Sequence, residues 1–99
     1  MTTQTFSEFE SSARAAGFDE VAERRWDADT VVAQHTHPFA VKALVVQGEM
    51  WLTEFDGEAA ATRHLHPGDT FELDRDAPHA ERYGPEGATY WAARRHGRP

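Results

Sequence analysis

The sequence predicts an all-β sandwich or barrel preceded by one helix. Short runs in which apolar and polar residues alternate recur from residue 21 onward, and Gly, Pro and Asp separate them. The chain has 99 residues, which is enough for one hydrophobic core. We therefore expect a helix and its lead-in over residues 1–20 and a single β domain over residues 21–99.

The helix is predicted from two overlapping capping signals. Thr5-x-x-Glu8 and Ser7-x-x-Glu10 both match the capping box, in which a hydroxyl and a glutamate satisfy free amides at a helix start. An apolar stripe then recurs at helical spacing: Phe6, Phe9, Ala13 and Ala16. Gly17 is typical of a helix end, and Phe18 is a suitable apolar anchor after it. We expect this helix to cover the domain without contributing chemistry.

Eight short strands are predicted in the rest of the chain, near residues 21–26, 31–37, 41–47, 50–55, 59–65, 70–73, 78–83 and 89–95. Turn residues separate them: Asp27-Ala28-Asp29, Gly48-Glu49, Asp56-Gly57, Pro67-Gly68-Asp69 and Gly84-Pro85-Glu86-Gly87. Asp-Gly between two alternating runs is the clearest hairpin signal. This spacing of strands is typical of an all-β sandwich or barrel.

Composition excludes several classes of function. A formal net charge of -7 argues against nucleic-acid and anionic-membrane partners, which need a basic face. The basic cluster Arg94, Arg95 and Arg98 is interpreted as a solvated tail. The absence of cysteine excludes disulfides, thiolate ligands and cysteine nucleophiles. No apolar run approaches the length of a membrane span, and the polar start at Met1 is unlike a signal peptide, so we expect a cytoplasmic protein.

Three histidines are the candidate metal ligands. His35 and His37 lie two residues apart, so both imidazoles leave the same face if this run is a strand. Imidazole is the commonest side-chain metal ligand, and a third, His79, follows Pro78 later in the chain. An HxH pair alone is a weak signal, and the arrangement of the surrounding residues is what strengthens it.

These residues resemble the two motifs of the small single-domain cupins. The first family motif, G(X)5HXH(X)3,4E(X)6G, becomes Asp29-x5-His35-x-His37-x3-Val41-x6-Gly48. The second, G(X)5PXG(X)2H(X)3N, becomes Gly68-x5-Asp74-x-Asp76-x2-His79-x3-Tyr83. The resemblance covers about residues 21–95 and implies a double-stranded β-helix, the cupin or jelly-roll barrel. It also implies that His35, His37 and His79 bind a divalent transition metal such as Fe, Mn, Ni or Zn.

The family's metal-binding glutamate is missing from the first motif. It falls on Val41 with the shorter spacing and on Lys42 with the longer one. Val41 shares the parity of His35 and His37, so we expect it to point into the barrel and Lys42 to point out. Asp29 and Asp76 stand at glycine positions of the motifs, and aspartate tolerates turn conformations. The sequence thus predicts a three-histidine site beside an apolar wall.

The resemblance implies two classes of function. One is a mononuclear metal-dependent enzyme, of dioxygenase or lyase/isomerase type, acting on a small organic molecule. Three neutral imidazoles leave the full charge on a divalent metal, which favours anionic bidentate substrates. The other is a small-ligand-binding or sensing module without turnover. Since open barrel edges and small size favour pairing, we also expect a homodimer.

Two further polar residues are candidate catalytic groups. Tyr83 shares the parity of His79 and should face the cavity as a proton donor, or else line the barrel with its hydroxyl satisfied locally. Glu81 either orients a ligand imidazole or lies at the solvated mouth of the barrel. His64 and His66 form a second HxH pair, which we interpret as surface residues. His96 lies in the polar tail and receives no role.

Overall fold

The structure, a computed structural model, describes residues 4–97. Helix α1 spans Phe6–Ala15. Six strands follow: β1 Glu20–Trp26, β2 Val31–His35, β3 Ala40–Asp56, β4 Ala59–Leu65, β5 Thr70–Leu73 and β6 His79–Arg95. Met1 and Arg98, which entered the sequence predictions, lie outside the described residues. None of the helices in residues 4–97 is long and apolar enough to cross a membrane.

Strands β3 and β6 organise the sheet because they pair along almost their whole length. The half of β3 before Gly48 and the half of β6 after Gly87 form one layer, flanked by β5 and β1. The remaining halves form a second layer, flanked by β4 and β2. The pairing path ends at β1 and β4 within the described residues, so the hydrogen-bonded sheet is not closed. The predicted all-β jelly-roll architecture is confirmed.

Two of the predicted turns are wrong. Gly48-Glu49 and residues 84–87 do not reverse the chain, and each joins two predicted strands into one 17-residue strand. The pairing of β3 with β6 shifts register between Val45 and Gln47 and again between Gly48 and Met50. A β-bulge bends a strand without ending it, so both long strands pass from one layer to the other.

The main core lies between the two layers. The first layer contributes Val41, Ala43, Val45, Phe71, Leu73, Tyr90 and Ala92, and the second contributes Met50, Leu52, Leu65 and Tyr83. On the outer face of the first layer, Phe9 and Ala13 of α1 pack against Leu44, Trp91 and Ala93. The helix therefore covers one face of the sheet, as its apolar stripe predicts.

The ends of α1 follow local sequence rules. Thr5 is the N-cap: its hydroxyl accepts the Glu8 amide at 3.1 Å, and the Glu8 carboxylate accepts the Thr5 amide at 2.9 Å. The competing Ser7 box is not used, because Ser7 lies inside the helix. Gly17 takes a φ of +98°, and the Phe18 amide donates to the Ala13 carbonyl at 3.0 Å. This is the Schellman arrangement that the glycine favours.

Candidate metal centre

The three predicted histidines meet at one end of the space between the layers. His35 ends β2, His79 begins β6, and the two residues are cross-strand partners. His37 lies beyond the end of β2, which stops at His35 and so ends earlier than predicted. The Asp76 amide donates to the His37 carbonyl at 2.8 Å and ties this loop to the turn before β6.

The donor atoms of the three imidazoles lie within 4.8 Å of one another. The Nε2 atoms of His35 and His37 are 3.2 Å apart. Metal–ligand bonds of about 2.0–2.2 Å place neighbouring donor atoms roughly 2.8–3.6 Å apart, depending on coordination geometry. The separation therefore fits two ligands of one ion.

Backbone carbonyls fix the orientation of two rings. His35 Nδ1 donates to the Ala33 carbonyl at 2.8 Å, and His79 Nδ1 donates to the Ala77 carbonyl at 2.9 Å. A carbonyl can only accept, so each proton is assigned to Nδ1 and each Nε2 is left to face the centre. Such outer contacts are the usual means of setting the tautomer and angle of a metal-binding histidine.

Glu81 supplies a carboxylate to this cluster from β6. Its Oε2 lies 3.5 Å from Nε2 of His35 and 3.5 Å from Nε2 of His79. The residue is only 8% exposed, so the interpretation of Glu81 as a solvated group at the barrel mouth is wrong. A carboxylate that the first motif lacks is therefore present, and it comes from a different strand.

The charges of the cluster are coupled. Burial lowers the pKa of His37, and the neighbouring imidazoles lower it further. Burial also acts to lower the pKa of His79, but contacts with Glu81 and the Ala77 carbonyl outweigh it and raise that pKa. The pKa of Glu81 is lowered, because bonds from His79 and Tyr83 outweigh the effect of burial. The pocket thus brings a buried carboxylate into contact with the imidazoles, an arrangement that suits a bound cation.

Of the two placements that the sequence allowed for Tyr83, the structure shows the second, in which the residue lines the barrel with its hydroxyl satisfied locally. The residue is completely buried in the core. Its ring stacks on Trp26 with centroids 4.9 Å apart, and its hydroxyl donates to Oε1 of Glu81. Burial raises the pKa of the Tyr83 phenol well above its ordinary value. Tyr83 therefore keeps its proton and reaches the site through Glu81.

The cavity at this cluster has a volume of about 90 Å³. Its wall includes Val41, as the parity argument predicted, together with Phe39, Phe71 and Leu73. Lys42 lies on the other face of β3, beside α1. The expected apolar wall is present. Glu81 and the three histidines line the polar part of the same cavity.

Two cavity residues were missed by the sequence analysis. Arg24 and Arg94 both line the cavity and are half-buried, so assigning Arg94 to a solvated tail is wrong. The Arg94 guanidinium lies 4.6 Å from the centre of the Phe39 ring. Arg94 is the cross-strand partner of Val41, and Arg24 shares a strand face with Trp26. Both lie in predicted strands, so alternation along those strands could have placed them on the face that lines the cavity.

The remaining histidines lie elsewhere. His64 and His66 are exposed, as predicted, but both lie beside Glu49 in a second cluster of potential metal ligands. His96 contacts Glu20, with Nε2 2.7 Å from Oε1. The described residues thus contain two separate groups that could hold a metal ion.

Comparison with known proteins gives similarity at the level of structure. No family model matches the chain, and no curated protein matches it. The cupin domain of Drosophila melanogaster CENP-C superposes with a TM-score of 0.68 and 18% identity over 75% of this chain and 59% of that one. A formate complex of oxalate decarboxylase from Lactobacillus farciminis gives a TM-score of 0.68 and 17% identity, covering 76% and 22%.

An oxalate oxidase is a further structural neighbour. It superposes with a TM-score of 0.67 and 20% identity, over 75% of this chain and 40% of its own. The chain thus spans less than two thirds of each of these neighbours. At such identities the likeness concerns the fold alone, and it agrees with the two-layered sheet. The chain adopts a cupin-type fold.

Proposed function

We propose that this protein is a mononuclear metal-dependent enzyme that acts on a small organic anion. The observation that carries the proposal is the convergence of three oriented imidazoles and one buried carboxylate on a small cavity lined by two arginines.

The donor set favours a divalent transition metal. His35, His37 and His79 would hold it through Nε2, with Glu81 as a neighbouring carboxylate able to complete the set. Imidazole donors suit Fe, Mn, Ni and Zn, in contrast to the oxygen donors that Mg and Ca prefer. When bound, such an ion acts as a Lewis acid that polarises a substrate oxygen or activates a bound small molecule.

The cavity fits a small carboxylate better than a neutral or bulky molecule. A volume of about 90 Å³ admits only a few non-hydrogen atoms. Arg24 and Arg94 at its wall can bind a carboxylate through paired N–H donors. Enzymes of oxalate share the fold, and one was solved with formate, which supports small carboxylates as the first candidates.

Glu81 is the proposed proton-transfer group. One of its oxygens is held by the Tyr83 hydroxyl, which leaves Oε2 facing the imidazoles and the cavity. The lowered pKa keeps Glu81 ionised at neutral pH, and Oε2 is placed where it can accept a proton from a substrate held at the metal site. Tyr83 acts through Glu81 by fixing the carboxylate, so it is a positioning residue in this proposal.

Elemental analysis of protein purified without a histidine tag tests the metal site. His37→Ala/His79→Ala should lower the metal content by about one ion per chain, because only one imidazole and the Glu81 carboxylate remain at the site. His96→Ala, which changes an exposed histidine outside the cluster, should leave the content unchanged. Equal metal content in the wild type and in the double variant would overturn the assignment.

A second candidate is a ligand-binding module without turnover. The Drosophila CENP-C structures favour it, since one of them shows the same fold bound to another protein, CAL1. Incubation of the metal-loaded protein with oxalate and other small carboxylates, with and without oxygen, separates the two. Consumption that is lost in Glu81→Gln supports the enzyme, whereas saturable binding without consumption supports the module.

A further inference from the structure

The side chains of Glu49, His64 and His66 form a second cluster outside the cupin site. Their donor atoms lie within 4.8 Å of one another, and the cluster shares no residue with the three-histidine site. Glu49 Oε2 is 2.7 Å from His64 Nε2 and 3.9 Å from His66 Nε2. Two imidazoles and one carboxylate are a common protein donor set for zinc.

The two measured donor–donor distances lie on either side of the distance expected between two ligands of a bound zinc ion. Zinc bonds of about 2.0–2.1 Å in a tetrahedron place neighbouring donor atoms roughly 3.3 Å apart. The shorter of the two measured separations would open by less than an ångström, and the longer would close by a similar amount. Side-chain rotation alone covers such changes, since all three groups are at least partly exposed.

Each of the two histidines has a neighbour that contacts its ring or fixes its backbone. His64 stacks flat on Trp51, with ring centroids 4.2 Å apart and an interplanar angle of 6°. The guanidinium of Arg82 covers the Trp51 ring at 3.9 Å. Asp69 lies beside His66: its Oδ2 accepts the His66 amide at 2.8 Å and lies 3.8 Å from Nδ1. Asp69 thus fixes the backbone at His66 and places a negative charge beside its ring, while Nε2 is the ring atom that lies 3.9 Å from Glu49.

Glu49 is placed by the bulge in β3. The register shift between Gly48 and Met50 leaves Glu49 without a cross-strand partner in β6. Its side chain then lies across Gly84, where an added Cβ would come within 2.6 Å of Glu49 Cγ. The surface beside the cluster is concave and includes Pro85 and Glu86. Backbone irregularity and a small residue together bring the carboxylate to the two histidines.

We propose that Glu49, His64 and His66 bind a second divalent metal ion of the zinc type, with the fourth position open to water. The ion would join the bulge of β3 to the end of β4. Asp69 and Glu86 add negative charge around it, which favours a cation over an anion at this surface. The proposal does not depend on the metal at the cupin site.

The Glu20–His96 pair provides a matched control. It has the same contact as Glu49–His64, with Nε2 2.7 Å from Oε1, and both partners are similarly exposed. It belongs to neither of the three-residue groups within the described part of the chain. If an exposed Glu–His pair were enough to bind zinc, the two sites would behave alike.

Zinc titration of a His37→Ala/His79→Ala background isolates the second site. We expect one equivalent to bind, and His66→Ala or Glu49→Gln in that background to weaken binding by more than about tenfold, which is the lower end of the loss from removing even an outer contact. His96→Ala should bind as the background does. Co²⁺ added in place of zinc should give absorption bands that disappear in His66→Ala.

A second measurement tests the proposal even if the His37→Ala/His79→Ala variant does not fold. In the otherwise unchanged chain, His66→Ala should lower the number of zinc ions bound at saturation by one. Absence of binding in the folded background, or equal losses in His66→Ala and His96→Ala, would show surface ion pairs only and overturn the proposal. The background lacks two of the three cupin-site imidazoles, and the second measurement compares variants that leave that site unchanged, so these outcomes do not depend on whether the cupin site binds metal.

Discussion

At the residue scale, the three-histidine site contains a carboxylate, but it comes from a different strand from the one that the first motif predicts. Val41 stands at the glutamate position of the cupin motif that the sequence resembles, and the structure buries that valine in the cavity wall. Glu81 reaches the same cluster from β6, two residues after His79. Residues i and i+2 of a strand share a face, so a ligand histidine and a carboxylate two apart point into one pocket. A negative charge is thereby kept at the cluster, although it comes from a different strand.

Val41→Glu tests the geometry of the wall. The new carboxylate should enter the cavity, raise the affinity for divalent metal by roughly tenfold, or about 1.4 kcal/mol, and weaken the binding of small anions. Isothermal titration at one fixed pH measures both. Lys42→Glu is the control, because its side chain lies on the face next to α1, and it should change neither affinity. A larger effect from Lys42→Glu would show that the parity assignment is wrong.

At the element scale, the two long strands depend on glycines at their bends. Gly48 has a φ of +75°, and a Cβ at this position would lie 2.1 Å from the carbonyl oxygen of Gly87. The two long strands therefore cross between layers with their backbones too close for a side chain. The bend also places Glu49 at the surface cluster, so one local irregularity serves both the fold and the second group of ligands.

Gly48→Ala should destabilise the fold by roughly 3 kcal/mol or more, since the strain of positive φ is joined by a backbone clash. Gly57→Ala is the matched control: its φ is +63°, but no atom lies within 4 Å of the added Cβ. That change should cost only about 1–2 kcal/mol. Urea denaturation gives both values. Equal losses of stability in the two variants would show that the close approach of β3 and β6 does not require glycine at position 48.

At the scale of the whole molecule, the sheet is not closed. Within residues 4–97 the pairing path ends at β1 on one side and at β4 on the other. Unpaired strand edges favour association with a second chain. The homodimer expected from the sequence follows from this reasoning and stays a prediction.

Sedimentation equilibrium of the purified chain tests the dimer. The expected mass is twice that of the 11.1 kDa chain at micromolar concentration, and dilution should shift it toward the single-chain mass. A mass of one chain at every accessible concentration would contradict the prediction. The metal-loaded and metal-free forms are both measured, so that an effect of metal on assembly is separated from edge pairing.

The sequence by itself determined the features that depend on neighbours along the chain. The capping box at Thr5 and the glycine after Ala16 set the ends of α1, because these hydrogen bonds span only a few residues. Asp29 and Asp76, at glycine positions of the motifs, do take positive φ values of 58° and 62°. Motif spacing selected the three histidines, and alternation placed Val41 correctly even though β2 ends before His37.

Only the tertiary structure decided which segments meet. Pairing with β6 kept β3 continuous through Gly48, where local turn signals favoured a reversal. The same long-range pairing turned Arg94 toward the cavity and set Glu81 between two imidazoles. It also brought Glu49 to His64, fifteen residues away in sequence. Such contacts depend on cross-strand register, a cooperative property of the whole sheet that no single segment encodes.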